Sequence, residues 1–400
     1  MRRTITVLCV LLAAICLPAS VRAEQGVTDK EIVIGMSTVL TGPASFLGTN
    51  FRLGAEAHIR KVNDAGGVHG RKLRLVVYDD GYEPQNTAAN VEKHLKSDKV
   101  FCLLGNVGTP TTVAIKDTLE KEKVPLFFPF TGAEVLRSPV SRYLFHYRAS
   151  YNQETEAFIQ GMVDELGLKR IAVFYQDDAY GQAVLAGTLQ ALKTRSLKPV
   201  ALGTYTRNLE DIQEALDAIM KERPDAVVMA GTYSAVAKFI IAWKRQSIIE
   251  GKNDRDPVFM NVSFVGPESL SDLLGKYGDN VVVTQVVPSY YTYFGGVNYP
   301  AVSEYLLAVN KYSSAAKPTF GSLEGYLATK VLVEVLKGAG TELTRESALA
   351  AAERIKNLDI SAGNSISFSP ENHQGSQTVY PTVLKNGRYY LIKDWKAVKQ

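Results

Sequence analysis

Short apolar runs of strand length recur along this chain. Each is followed by a turn and then by apolar residues at helical spacing. Glu31–Thr38 (EIVIGMST) is the first run. After the loop Leu40-Thr41-Gly42-Pro43, the pattern predicts a helix over about Asn50–Val62, with Phe51, Ala55, Ile59 and Val62 on one face. Asn63-Asp64-Ala65-Gly66-Gly67 stops it with C-cap chemistry. Leu73–Tyr78 predicts a second strand ending at Asp79-Asp80, which read as turn and cap residues, and Pro84 opens a helix to Leu95. Phe101–Leu104 predicts a buried third strand. Val124–Phe128 predicts a fourth, after which Pro129–Glu134 begins a helix with Thr131 and Glu134 at capping-box spacing.

This β-α-β-α-β-α-β-α order argues for a parallel, doubly wound α/β sheet. Tyr143–Tyr147 is extended and leads out of the unit. The alternation then restarts: helix Asn152–Leu166, strand Lys169–Tyr175, helix from Asp178, strand Val200–Tyr205 and helix Asp211–Lys221. Strand Asp225–Ala230 breaks at Gly231-Thr232-Tyr233 into a helix through Lys244, and strand Val258–Asn261 ends in the loop Val262-Ser263-Phe264. Val281–Val287 and helices near Val302–Tyr312 and Phe320–Lys337 are expected to return to the first unit. Ser365–Phe368, Tyr380–Leu384 and Arg388–Ile392 are expected as late strands beyond it. Ligands bind outside the carboxyl ends of strands in such sheets, so two facing units place a pocket between them.

The stretch Phe101–Ile115 (FCLLGNVGTPTTVAI) carries the most chemistry. A strand breaks at Gly105 and Gly108, and Thr109-Pro110 begins a helix pattern that runs through Lys121. Free N–H groups, the positive end of a helix and a hydroxyl can hold a carboxylate there. Thr109 as a simple cap of its helix is the plainer reading.

Length and composition set the rest. A chain of 400 residues is too long for one ordinary core. Arg2-Arg3, apolar Ile5–Leu17 and Val21-Arg22-Ala23 have the layout of a secretory signal peptide cut after Ala23. Of the 45 basic residues, Arg2, Arg3 and Arg22 would leave with it, so 42 face 41 acids in the mature chain. That balance gives no electrostatic case for nucleic acid or an anionic membrane. Cys9 and Cys16 also leave, so Cys102 stands alone as a small buried hydrophobe without a disulfide. The five histidines show no metal spacing, and no cofactor is expected.

Asn63-Asp64-Ala65-Gly66-Gly67-Val68-His69-Gly70-Arg71-Lys72-Leu73 resembles a signature of the type I periplasmic binding proteins. It is most similar to the branched-chain-amino-acid-binding receptors of ABC transporters. Thr41-Gly42-Pro43, Tyr78-Asp79-Asp80 with Pro84, and Asp178-Ala179-Tyr180-Gly181 follow that pattern in order, over nearly all of the mature chain. The resemblance implies two Rossmann-like lobes on a three-strand hinge, closing on a small solute. Crossovers are expected near Ser150, Val287 and Gly363. The first lobe would then hold 24–150 and 287–362, and the second 151–286 and 363–400.

The resemblance further implies that the loops at Thr109 and at Thr131-Gly132 hold a ligand carboxylate and that Tyr180 closes over the ligand. Thr232-Tyr233 and Ser263 would make the other second-lobe contacts. Thr131 as a cap only, and Tyr180 as packing only, stay open. One departure bears on the ligand. The loop after Val258–Asn261 carries an acid for the ligand ammonium in family members, and here Ser263 stands there, with Glu268 opening the next helix. Phe46, Phe130, Tyr180, Tyr233, Phe264, Tyr290 and Tyr291 fall in or near the cleft loops. The expectation is therefore a ligand without a conventional α-ammonium, such as a hydrophobic or aromatic carboxylate or amide.

A Gly-x-Ser-x-Gly elbow, a Walker A loop and a His-Glu-x-x-His motif are all missing, so a binder is expected rather than an enzyme. The resemblance implies a monomeric periplasmic solute receptor that serves ABC permease subunits. A sensory module reporting to a membrane receptor would need the same clamp.

Overall fold

The computed structural model describes residues 24–251, 256–291 and 299–398, so the leader and its cleavage site lie outside the described residues. The first lobe is built from β1 (Glu31–Thr38), α1 (Ser45–Asp64), β2 (Lys72–Asp79), α2 (Pro84–Lys93), β3 (Cys102–Leu104), α3 (Thr109–Val113), α4 (Lys116–Glu122), β4 (Leu126–Phe127) and β5 (Leu144–Phe145). Its five strands pair in the order β2-β1-β3-β4-β5, all parallel, and β1, β3 and β4 bury almost every residue. Near-continuous apolar runs are what a sheet covered on both faces requires.

The second lobe takes α5 (Tyr151–Ile159), β6 (Ile171–Gln176), α6 (Ala179–Lys193), β7 (Ala201–Tyr205), α7 (Gln213–Lys221), β8 (Ala226–Ala230), α8 (Tyr233–Ile249), β9 (Val258–Asn261), α9 (Pro267–Leu274) and β10 (Val282–Gln285). α10 (Pro300–Tyr312), α11 (Phe320–Gly338) and α12 (Arg345–Glu353) follow, α10 and α11 packing on α1 of the first lobe. The chain then forms a small ribbon, β11 (Leu358–Asp359) with β12 (Ser365–Ile366), before β13 (Tyr380–Lys385) and β14 (Arg388–Leu391). The second sheet runs β14-β13-β10-β9-β8-β6-β7, with β13 and β14 antiparallel. The two-lobe α/β reading therefore holds.

Three details differ from the sequence expectation. Val281–Val287 supplies β10, which pairs with β9 and β13, so it belongs to the second sheet. The last crossing comes after Ser376, not at Gly363. Phe368 stacks on Phe128 and His373 on Phe145, and the chain at Gln374 pairs beside β5 before it leaves for β13. These aromatic side chains finish the first core, a tertiary need that strand patterning does not show. Finally, the helix expected from Pro129 is a single 3-10 turn at Glu134–Leu136, and the capping box with Thr131 does not form.

α1 and α11 cross where Gly54 meets Ser322 and Gly325 meets Phe51. A Cβ on either glycine would fall 1.7 or 2.1 Å from a backbone oxygen. This close approach seats Glu324 of α11 at the boundary between the lobes.

Candidate functional site

The lobes meet around a buried cavity of about 10 Å³, room for about one water. Phe46, Leu47, Asn50, Phe130, Arg148 and Glu324 line it with the first-lobe end of α11, while Ser263, Gly266 and Glu268 face them from the second lobe. Gln285-Val286-Val287 closes it where the chain leaves β10.

Gly266 shapes the second-lobe wall. Its φ of +84° reverses the chain between the 3-10 turn Ser263–Val265 and α9. A Cβ there would strain the backbone and sit 2.9 Å from Tyr233 Cδ1. The reversal points Phe264 and Glu268 at the first lobe. Phe264 is fully buried, with its ring 5.5 Å from Phe130, 6.1 Å from Tyr82 and 4.7 Å from Tyr180. One ring thus joins aromatic side chains of both lobes.

Beside it lies a buried ion cluster. Arg148 Nε is 3.0 Å from Glu324 Oε1, and its Nη2 donates to Ser263 Oγ at 2.5 Å. Its guanidinium also covers the Phe130 ring at 4.6 Å. Ser263 N–H and Oγ donate to Glu154 at 2.7 and 3.0 Å, and the Thr284 hydroxyl donates to the same carboxylate. Two carboxylates therefore share one guanidinium away from water. Burial pushes both acids up, Glu324 to about 7, against the opposing pull of Arg148. The excess negative charge favours a proton held by the pair rather than by either acid alone. Arg137, also buried, ties the first-lobe loop to the crossing segment by donating to the carbonyls of Thr131, Arg148 and Ala149.

Glu268 spans the lobes. Its Oε1 accepts the Phe320 N–H at 2.7 Å, at the first turn of α11. Oε2 is buried, and burial pushes the carboxyl up to about 7.

Of the eight residues expected at the site, Phe46 and Ser263 line the cavity. Tyr233 holds Phe46 from the other lobe, its hydroxyl accepting the Phe46 N–H at 3.2 Å. Tyr180 packs on Phe264 and Tyr151, and Thr232 N–H donates to Tyr205 Oη at 3.0 Å. Thr109 caps nothing: α3 starts at Thr109 itself with Gly108 as N-cap, and the Thr109 hydroxyl bonds that of Thr131 at 2.7 Å. Gly132 accepts the Tyr151 N–H at 2.7 Å and is crowded by that ring. These loops abut the lobe boundary without lining the cavity. Asp79 and Asp80 are turn hubs, bonded to Leu40, Thr41 and Gly81 and to Ser37, Tyr82 and Thr87.

Ser263 stands where the family loop carries an acid, and two acids from other positions, Glu268 and Glu324, line the cavity. Two signals pointed there. Glu324 is a carboxylate flanked by apolar residues near the start of α11, and Arg148 ends the apolar Tyr143–Tyr147 stretch. A buried charge in such a setting needs a partner from elsewhere in the fold.

A family model described as a periplasmic binding protein matches residues 31–388. The chain belongs to the periplasmic binding protein family. A crystal structure of a possible leucine/isoleucine/valine-binding protein from Rhodopirellula baltica is similar at 33% identity and a TM-score of 0.85, covering 92% of this chain and 98% of that one. A Leu/Ile/Val-binding protein of Citrobacter freundii is 24% identical over 64% of this chain and 68% of its own length. A fatty acid ABC transporter substrate-binding protein from Thermomonospora curvata shares the fold at 22% identity and a TM-score of 0.82, over 94% and 95% of the two chains. Members of this family are substrate-binding proteins, not enzymes, and reside in the periplasm. No helix among the described residues is long and apolar enough to cross a membrane.

At the cleft mouth, Arg207 of the second lobe reaches Glu83 of the first at 2.9 Å and Asp178 at 3.1 Å. Asn208 adds bonds to Glu83 and to the Gly81 carbonyl at 2.7 and 3.1 Å. Removing the cross-lobe ion pair with Arg207→Ala should weaken closure by about 1 kcal/mol, roughly fivefold in the closed-to-open ratio. Energy transfer between dyes placed on the two lobes would read this. An unchanged closed fraction would assign the pair to crystal-like surface decoration without effect on closure.

Proposed function

We propose that this protein captures a small amino acid-like or apolar solute between its lobes and delivers it to the membrane subunits of an ABC uptake transporter. The observation that carries this reading is the cavity walled by both lobes and by a crossing segment, with Phe264 bridging the two halves. A cavity of about one water cannot admit a solute without separation of the lobes, so capture is a hinge motion. Names of relatives support an amino acid-like ligand, and the walls Phe46, Phe130 and Phe320 suit an apolar body. The protein works as a monomer in the periplasm after losing residues 1–23.

The test is a thermal-shift screen of refolded mature protein against amino acids, amides and apolar carboxylates. A ligand of the native state must raise the melting temperature, by about 2.7 kcal/mol of added stability at 100 times its Kd. Small-angle scattering with the hit should show a smaller radius of gyration than without it. A hit that leaves the scattering curve unchanged would argue against closure, and the absence of any hit would remove the receptor reading.

A further inference from the structure

Five buried aromatic rings meet where the loops of the two lobes face each other. Tyr82 and Phe130 come from the first lobe, Tyr151 from the start of α5, and Tyr180 and Phe264 from the second lobe. Four of them are walls. Tyr82 stands at a φ of +63°, a strained setting for a residue with a side chain. Its ring closes on Gly108, where a Cβ would fall 2.3 Å from Tyr82 Cε2, and its hydroxyl accepts Gln176 Nε2 from the other lobe at 3.3 Å. Phe130 lies under the Arg148 guanidinium at 4.6 Å and against Phe51 at 5.5 Å. Tyr180 is 5.5 Å from Tyr151 and donates to the Gly231 carbonyl at 3.5 Å. Phe264 differs from these. It enters on the three-residue turn Ser263–Val265, and its ring has no polar handle. It fills the space between Tyr180 at 4.7 Å, Phe130 at 5.5 Å and Tyr82 at 6.1 Å. The adjoining cavity, lined by Phe130 and Ser263, is too small for any solute at about 10 Å³.

We propose that Phe264 holds the place of the solute: the solute carries an aromatic ring that takes the position Phe264 fills, and Phe264 swings out as it enters. This rests on the solute-capture reading and deepens it by naming the class, monocyclic aromatic compounds. Shape selects that class. A chamber that encloses a benzyl side chain fits a phenyl group of the same dimensions. The surrounding rings attract an aromatic group beyond what area burial alone supplies, and a saturated ring lacks that gain. A smaller or aliphatic solute does not recover the contacts that Phe264 gives up, so Phe264 also acts as the residue that rejects it. The turn permits the exchange. Ser263 stays tied to Arg148 and Glu154, while Gly266 on the far side can take backbone angles closed to other residues. The departing ring touches both lobes, so a solute ring in its place keeps them together.

Calorimetry on refolded mature protein tests this with phenylacetate, phenylacetamide and the cyclohexyl counterpart of each. At least one phenyl probe should bind, roughly 2- to 10-fold more tightly than its cyclohexyl counterpart. Phe264→Ala removes the ring that must be displaced, so it should bind the same probe about tenfold more tightly than the native sequence does. A fixed wall at this position would give the opposite sign. Phe264→Leu, which keeps an apolar side chain in the turn, should shift the same way by less, and it decides the sign if the alanine variant does not fold. A fluorine on the para carbon of Phe264 reads the exchange directly. Its NMR signal should move from a buried position towards that of the unfolded chain when the phenyl probe saturates the protein. The proposal is overturned if that signal stays in place with the probe bound, or if Phe264→Ala binds the probe equally or more weakly. It is also overturned if the cyclohexyl compounds match the phenyl ones, or if no phenyl probe binds at about 1 mM. In each case a hit from the wider solute screen would leave the receptor reading standing.

Discussion

Arg148→Met should destabilise the protein by about 3–5 kcal/mol, because it leaves the buried Glu154–Glu324 pair without its guanidinium. Glu324 would lose the ion pair at 3.0 Å, and Ser263 would lose its 2.5 Å donor while still bonded to Glu154. Methionine fills much of the arginine volume, so the loss reports charge more than packing. The double variant Arg148→Met/Glu324→Gln should recover part of it, since one stranded charge is then gone. Denaturant unfolding of the three proteins would measure this. A loss below about 1 kcal/mol in the single variant would mean that both acids are already neutral in the native state and that the guanidinium holds nothing charged. The two lobes can unfold separately, so the transition should be followed by probes in each.

The strand and helix order was legible because both sheets are covered on two faces, and their strands read as apolar runs broken by Gly, Pro and Asp. The loops at Thr109, Thr131, Thr232 and Ser263 were found from the same punctuation. What one side chain does at such a loop depends on chain hundreds of residues away. Thr109 has the composition of a cap, yet its hydroxyl turns to Thr131 across two strand ends. Ser263 looked like a neutral replacement for an acid, but its hydroxyl is held between Arg148 and Glu154, which come from the crossing segment and α5. Glu268 was visible as a helix-start residue, and it is one. Its second job depends on the φ of Gly266 and on the α1–α11 crossing that brings Phe320 within reach, and neither is a local property.

Glu268 should also cost the protein stability at neutral and alkaline pH, and Glu268→Gln should expose that cost. Its carboxyl ordinarily ionises near 4.5, and burial pushes it up to about 7 in the folded chain. An acid raised in this way favours the folded state below its unfolded value and gives that advantage up as pH rises through the folded one. The ionised form must be carried at pH 8 in a site that disfavours it. Glutamine carries no charge at either pH, so the variant should be more stable than the native sequence at pH 8, and this gap should close by pH 5. A shift from 4.5 to about 7 corresponds to at most about 3 kcal/mol, and to less because water can reach part of this side chain. The buried histidines His58 and His146 push stability the other way below pH 6.5, but they are common to both proteins and cancel in the difference. Melting curves of the two proteins at pH 5 and pH 8, without ligand, would decide it. An equal offset at both values would mean that Glu268 ionises without penalty, leaving the Phe320 cap as its whole role. A gap that opens with pH would show that ionised Glu268 is carried at a cost to the folded state.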